Sequence, residues 1–88
     1  MIEGMTRSGF IFSMDDGTLD DYELFEDLVE LAGGNELRIT SVVDRLLGKE
    51  QKKRLMDHLR LENGRVPSSL VIGEVLEIFN ACKQGKNS

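Results

Sequence analysis

The sequence predicts a mainly α-helical single domain over residues 1–88, a small four-helix unit with a short strand near its N-terminus. Three observations predict it. Apolar residues recur at three- and four-residue intervals in separate stretches. Glycines interrupt those stretches at Gly33-Gly34, Gly48 and Asn63-Gly64. Residues able to cap a helix stand in front of most of them.

Met1–Ser8 reads as a loose leader and Gly9–Met14 as a short strand, because Phe10, Ile11 and Phe12 favour extended backbone. Asp16-Gly17 signals a turn. Thr18 can cap the first helix, with Asp20, Asp21 and Glu23 crowding its first turn, where the helix dipole favours negative charge. Tyr22, Phe25, Leu28, Val29 and Ala32 follow at helical spacing, and Leu24 and Leu31 widen the stripe. Gly33-Gly34 ends this helix. Asn35 can cap a second, built on Ile39, Val42, Val43, Leu46 and Leu47 and broken at Gly48. A third, Lys49–Leu61, is charged at its start and apolar at Leu55, Met56 and Leu59. Pro67, which needs no amide donor in a first turn, starts a fourth with Ser68 and Ser69. That helix is apolar over most of its circumference, through Leu70, Val71, Ile72, Val75, Leu76, Ile78, Phe79 and Cys82, with Gly73 offering room for a close helix approach. Lys83–Ser88 reads as a flexible tail. The expected core is Phe25, Leu28, Val42, Val43, Leu46, Leu55, Leu59, Val75, Ile78 and Phe79.

With 88 residues, 40% hydrophobic and 31% charged, the chain has an ordinary globular balance and a thin core that self-association would help. No apolar run approaches the roughly 20 residues needed to span a bilayer, and no signal peptide is visible. One cysteine, Cys82, fits a reducing interior, so the expected location is the cytoplasm. Charge is uneven. Residues 1–36 carry ten acids and one base, residues 37–88 six acids and ten bases. Such a split suits head-to-tail self-association or a bipolar partner; it equally suits solvated helix faces folded against each other.

Ser13-Met14-Asp15-Asp16-Gly17-Thr18 resembles the nucleophile loop of aspartate-based phosphatases, but the register fails. The nucleophilic carboxylate belongs two residues before the Asp of Asp-Gly-Thr, where Met14 stands. An EF-hand fails too: counted from Asp15, its sixth position holds Asp20 rather than glycine. His58 has no second histidine or nearby cysteine with which to bind zinc, and Ser68-Ser69 has no base beside it. The expectation is a protein without catalysis, metal or cofactor. Lys49, Lys52, Lys53, Arg54, Arg60 and Arg65 form the one basic cluster, yet the pI of about 4.8 and the lack of interleaved aromatics argue against nucleic acid.

The stretch Leu46-Leu47-Gly48-Lys49-Glu50-Gln51-Lys52-Lys53-Arg54-Leu55, continuing through Asp57-His58-Leu59-Arg60 to Glu62-Asn63-Gly64-Arg65-Val66, resembles small tail-assembly chaperones of long-tailed phages and prophages of low-GC Gram-positive bacteria. Ser8-Gly9-Phe10-x-Phe12, Leu19-Asp20-Asp21-Tyr22-Glu23-Leu24, Glu74-x-x-Glu77-Ile78 and the terminal Gly85-Lys86-Asn87-Ser88 agree with that frame, over residues 8–88. The resemblance implies a non-enzymatic cytoplasmic protein, absent from the mature virion, that coats the aggregation-prone tape-measure protein until tail-tube subunits polymerise around it. Its expected partners are the tape-measure protein, the tail-tube protein and further copies of this chain, without nucleic acid or membrane. Many relatives also make a longer form by programmed frameshift, and Gly85-Lys86-Asn87 can be encoded by a slippery GGA-AAA-AAC. The client-binding surface expected here is Val71, Ile72, Leu76 and Phe79 of the last helix. The rival expectation is a small prophage-encoded regulator that binds DNA through residues 49–65, or a host protein through its acidic helix.

Overall fold

The N-terminal residues pair with each other before any helix begins. In the computed structural model, which describes the backbone of residues 1–85 and side chains as far as Cys82, Ile2–Met5 (β1) and Ile11–Met14 (β2) form an antiparallel hairpin. The leader expected to be loose is therefore a strand. Ile2-Glu3-Gly4-Met5 has too little intrinsic β-preference to announce itself; it is held in register by β2, with Gly4 opposite Phe12. The Phe12 ring lies directly over Gly4, where a Cβ would come within 2.7 Å of it. The outer edge of β2 is closed by side chains. The Gln51 amide accepts from Ser13 N–H at 2.7 Å and donates to Ser13 C=O at 2.6 Å, while Arg54 donates to Ile11 C=O at 3.2 Å. These contacts satisfy backbone groups that a third strand would otherwise take.

A short 3-10 turn, Thr18–Asp20, leads into the first α-helix, Tyr22–Ala32 (α1). Its cap is Asp21 rather than Thr18: the Asp21 carboxylate accepts from the amides of Glu23 and Leu24. Gly34, with φ 107°, closes the far end, a conformation that favours glycine. A second 3-10 turn, Glu36–Arg38, separates Asn35 from the next α-helix, so Asn35 makes no side-chain cap.

That helix, Ile39–Leu59 (α2), absorbs two of the expected four. The break at Gly48 is real, since its φ of 78° and ψ of 170° are non-helical, but one residue suffices to redirect the chain. No loop intervenes, and the two limbs abut as one kinked element. The last helix is Ser68–Gly85 (α3). The described residues are thus mostly helical, with three α-helices and one short hairpin rather than four helices and one strand. The expected tail continues α3 in its backbone as far as Gly85; residues 86–88 lie outside the described residues.

The core joins Phe10, Phe12 and Met14 of the hairpin to Leu24, Leu28 and Leu31 of α1, to both limbs of α2, and to Val71, Val75, Ile78 and Cys82 of α3. Most of the expected core is buried: Leu28, Val42, Val43, Leu46, Leu55, Leu59, Val75 and Ile78. Phe79 is half-buried. Phe25 is on the surface, 52% exposed. Two apolar stripes compete for the inside of α1, and the one at residues 24, 28 and 31 wins, bringing Asp27 in with it. Asp27 is buried against Arg38 at 3.0 Å and Arg45 at 3.4 Å, pinning α1 to the first limb of α2.

Candidate binding surface

Each of the four residues expected to bind a client lies on α3, and that helix is covered on two sides, by α2 and by β1. Val71 is 7% exposed and belongs to the core, which corrects its expected role as an accessible contact. With Ile39, Val43, Met56 and Val66 it lines a small apolar cleft of ≈ 160 Å³. Ile72, Leu76 and Phe79 are half-buried and pack against the core.

A line of exposed apolar residues lies instead on α1. Tyr22 is 70% exposed, Phe25 52% and Val29 55%. Their i, i+3, i+7 spacing places them in one line along two turns of the helix. They face the first limb of α2 across a groove of ≈ 530 Å³, whose other lining residues include Arg38, Ser41 and Arg45. These arginines are not free. Arg38 bonds Asp27 and lies 3.8 Å from Glu30; Arg45 reaches Glu23 at 3.3 Å, Asp27 at 3.4 Å and Asp21 at 3.9 Å. Glu26, by contrast, also lines the groove and makes no ion pair among the described residues. With Glu23, Glu26, Asp27 and Glu30 set against Arg38 and Arg45, the groove is apolar along one line and net negative around it. Sequence spacing does contain the line Tyr22–Phe25–Val29, but spacing alone reads it as core.

A polar cluster that the sequence hides lies at the hairpin turn. Glu74 of α3, buried, accepts hydrogen bonds from Thr6 Oγ1 at 2.8 Å and Ser8 Oγ at 2.9 Å, and Glu77 accepts from the Arg7 amide at 2.7 Å. His58 Nε2 stands 3.1 Å from Ser8 Oγ and 3.1 Å from the Ser8 carbonyl. Serine, histidine and glutamate together suggest a nucleophile, yet the hydrogens are misplaced for one. The Ser8 hydroxyl gives its single hydrogen to Glu74, and a carbonyl can only accept, so the Nε2 facing it is a donor rather than a base. The cluster ties the turn to α2 and α3. His58 also lies against the Phe10 ring (centroids 5.7 Å apart), and Arg54 sits 5.4 Å over that ring.

Asp16 pairs with the N-terminal amine of Met1 at 2.9 Å, and no group of three or more potential metal ligands occurs among the described residues. Ser68 and Ser69 lie exposed in the first turn of α3. Burial pushes the Cys82 thiol above its ordinary pKa, and its sulfur packs 3.9 Å from that of Met14, so the reactive thiolate is disfavoured. Of the basic cluster, Lys52 is paired with Asp44 and Arg60 with Asp57, while Arg54 is bound to the hairpin. No described helix is long and apolar enough to cross a membrane.

The chain matches no protein-family model, no curated protein and no solved structure.

Proposed function

We propose that this chain is a non-enzymatic tail-assembly chaperone of a long-tailed phage or prophage, working in the host cytoplasm and absent from the mature virion, that binds the tape-measure protein and keeps it soluble. The observation that supports this most directly is the open line Tyr22–Phe25–Val29 on a small, strongly charged domain. Exposed apolar surface rimmed by charge is what a holdase needs: it shields the client's sticky segments and keeps the pair in solution. The sequence resemblance over residues 8–88 supplies the identity of the client. Partial internal pairing of the basic cluster weighs against the rival reading, a DNA-binding regulator, because cations already engaged in the fold release fewer counterions on binding phosphate.

Co-expression with the tape-measure protein tests the proposal. The client should stay in the soluble fraction and co-purify with this chain. Equal precipitation with and without the chain sinks it. Salt-dependent binding to duplex DNA, with no effect on the client, establishes the rival.

A further inference from the structure

We infer that the α1 face takes one class of partner: a basic amphipathic helix from another protein, laid along Tyr22, Phe25 and Val29 with its lysines or arginines beside Glu26 and its acidic neighbours. Named as the client site it rests on the chaperone reading; as a docking surface for a basic helix it stands on the geometry alone.

Shape and charge fix that chemistry together. From Tyr22 to Val29 the line rises about 10 Å, the reach of two helical turns, which suits a helix contributing anchors at i, i+3 or i+4, and i+7. Four carboxylates line the groove, Glu23, Glu26, Asp27 and Glu30, against the two guanidiniums of Arg38 and Arg45; Glu26 is exposed and unpaired among the described residues, whereas Asp27 is spent on both arginines. An acidic partner would meet like charge, as would an anionic membrane surface, while a basic helix supplies the missing counter-charges.

A second copy of this chain does not fit the groove. Docked face to face it would set acid against acid. Its basic stretch is the second limb of α2, where Leu55 and Leu59 are turned into the core and the exposed residues, Lys49, Glu50, Lys53, Arg54, Asp57, His58 and Arg60, are all polar or charged. That limb offers cations but no apolar line to match. The occupant must come from elsewhere.

The full chain supplies its own reporter, since Tyr22 is its one tyrosine and it has no tryptophan. Two synthetic peptides of about 15–20 residues, long enough to sustain a helix, would share one apolar pattern, the first flanked by lysine and arginine, the second by glutamate. Neither contains tyrosine or tryptophan. The basic peptide should shift Tyr22 emission saturably and the acidic peptide should not. Phe25→Asp should weaken binding about tenfold or more, the loss of one buried anchor, and Glu26→Lys should weaken the basic peptide while leaving the fold's circular dichroism unchanged. Absence of binding, equal binding of the two peptides, full binding by Phe25→Asp, or a change in the sedimentation of the chain alone on Phe25→Asp each overturns the inference. Co-expression separates it from the chaperone reading. A client kept soluble equally by Phe25→Asp and by the parent refutes the α1 site and leaves the chaperone intact. A client that precipitates with both refutes the chaperone, and the peptides still decide the surface.

Discussion

Helices α1 and α3 are both rich in apolar residues, and they turn them in opposite directions. On α3, Val71, Val75, Ile78 and Cys82 run down one face into the core, and the flanking Ile72, Leu76 and Phe79 are half-covered as well. On α1, Leu24, Leu28 and Leu31 go inward while Tyr22, Phe25 and Val29 stay in water. The difference lies in the neighbours. α3 is flanked by α2 and by the hairpin, which cover a wide arc of it; α1 packs on α2 and the turns at its own ends. A helix with one neighbouring element can bury one stripe. A binding face is therefore identified by apolar surface left over after packing, not by apolar content.

The strongest way to break this comparison is to truncate one residue on each side of it. Ile78→Ala removes a fully buried side chain and should lower the unfolding free energy by about 2–5 kcal/mol, whereas Phe25→Ala should change it by no more than about 0.5 kcal/mol. Urea unfolding followed by circular dichroism measures both. Comparable losses would show that Phe25 is a core residue and that α1 has no free face.

Next in size is the hinge that lets α2 serve both helices. Gly48 holds φ 78° and ψ 170°, a region open to glycine and strained for alanine. Gly48→Ala should cost about 1–3 kcal/mol, because either the strain is accepted or the limbs straighten and lose their packing on α1 and α3. An unchanged midpoint would mean that the kink is not needed to hold the two faces apart.

How much of this was legible in the sequence follows the same division. The stripe of α2 was readable because each of its limbs offers one dominant apolar face that matches the buried residues, and on α3 Val75 and Ile78 were legible as core although the helix is apolar over most of its circumference. α1 was not, because its two stripes are both at helical spacing and the deciding residue, Asp27, is a carboxylate that enters the core only with Arg38 and Arg45 beside it. β1 was illegible because its order comes from pairing with β2, and the Ser8–His58–Glu74 cluster because its members stand 50 and 66 positions apart. The site expected on α3 is less accessible than its sequence suggests for a related reason: a helix apolar over most of its circumference looks adhesive in sequence and is here packed against α2 and β1. Asp27→Ala probes the deciding residue. It should cost about 1–2 kcal/mol, less than a fully buried pair because Arg38 and Arg45 are each more than a third exposed. No loss of stability would show that apolar packing alone selects the inward stripe.

The smallest effect tests the outer side of α3. Gly73 is exposed in the helix interior, and a Cβ placed there meets no atom within 4 Å. It does not serve a close approach between helices of this chain, as its position in the sequence suggested. Gly73→Ala should therefore raise the unfolding free energy by about 0.5–1 kcal/mol, the gain in helix propensity, and shift the urea midpoint upward. Client retention should not change, because Gly73 is on α3 and the open line of Tyr22, Phe25 and Val29 is on α1. If α3 were the docking side, the same methyl would stand between it and the partner, and the variant would be more stable yet weaker in co-expression. Greater stability with unchanged retention leaves the open surface on α1, and greater stability with lost retention returns it to α3.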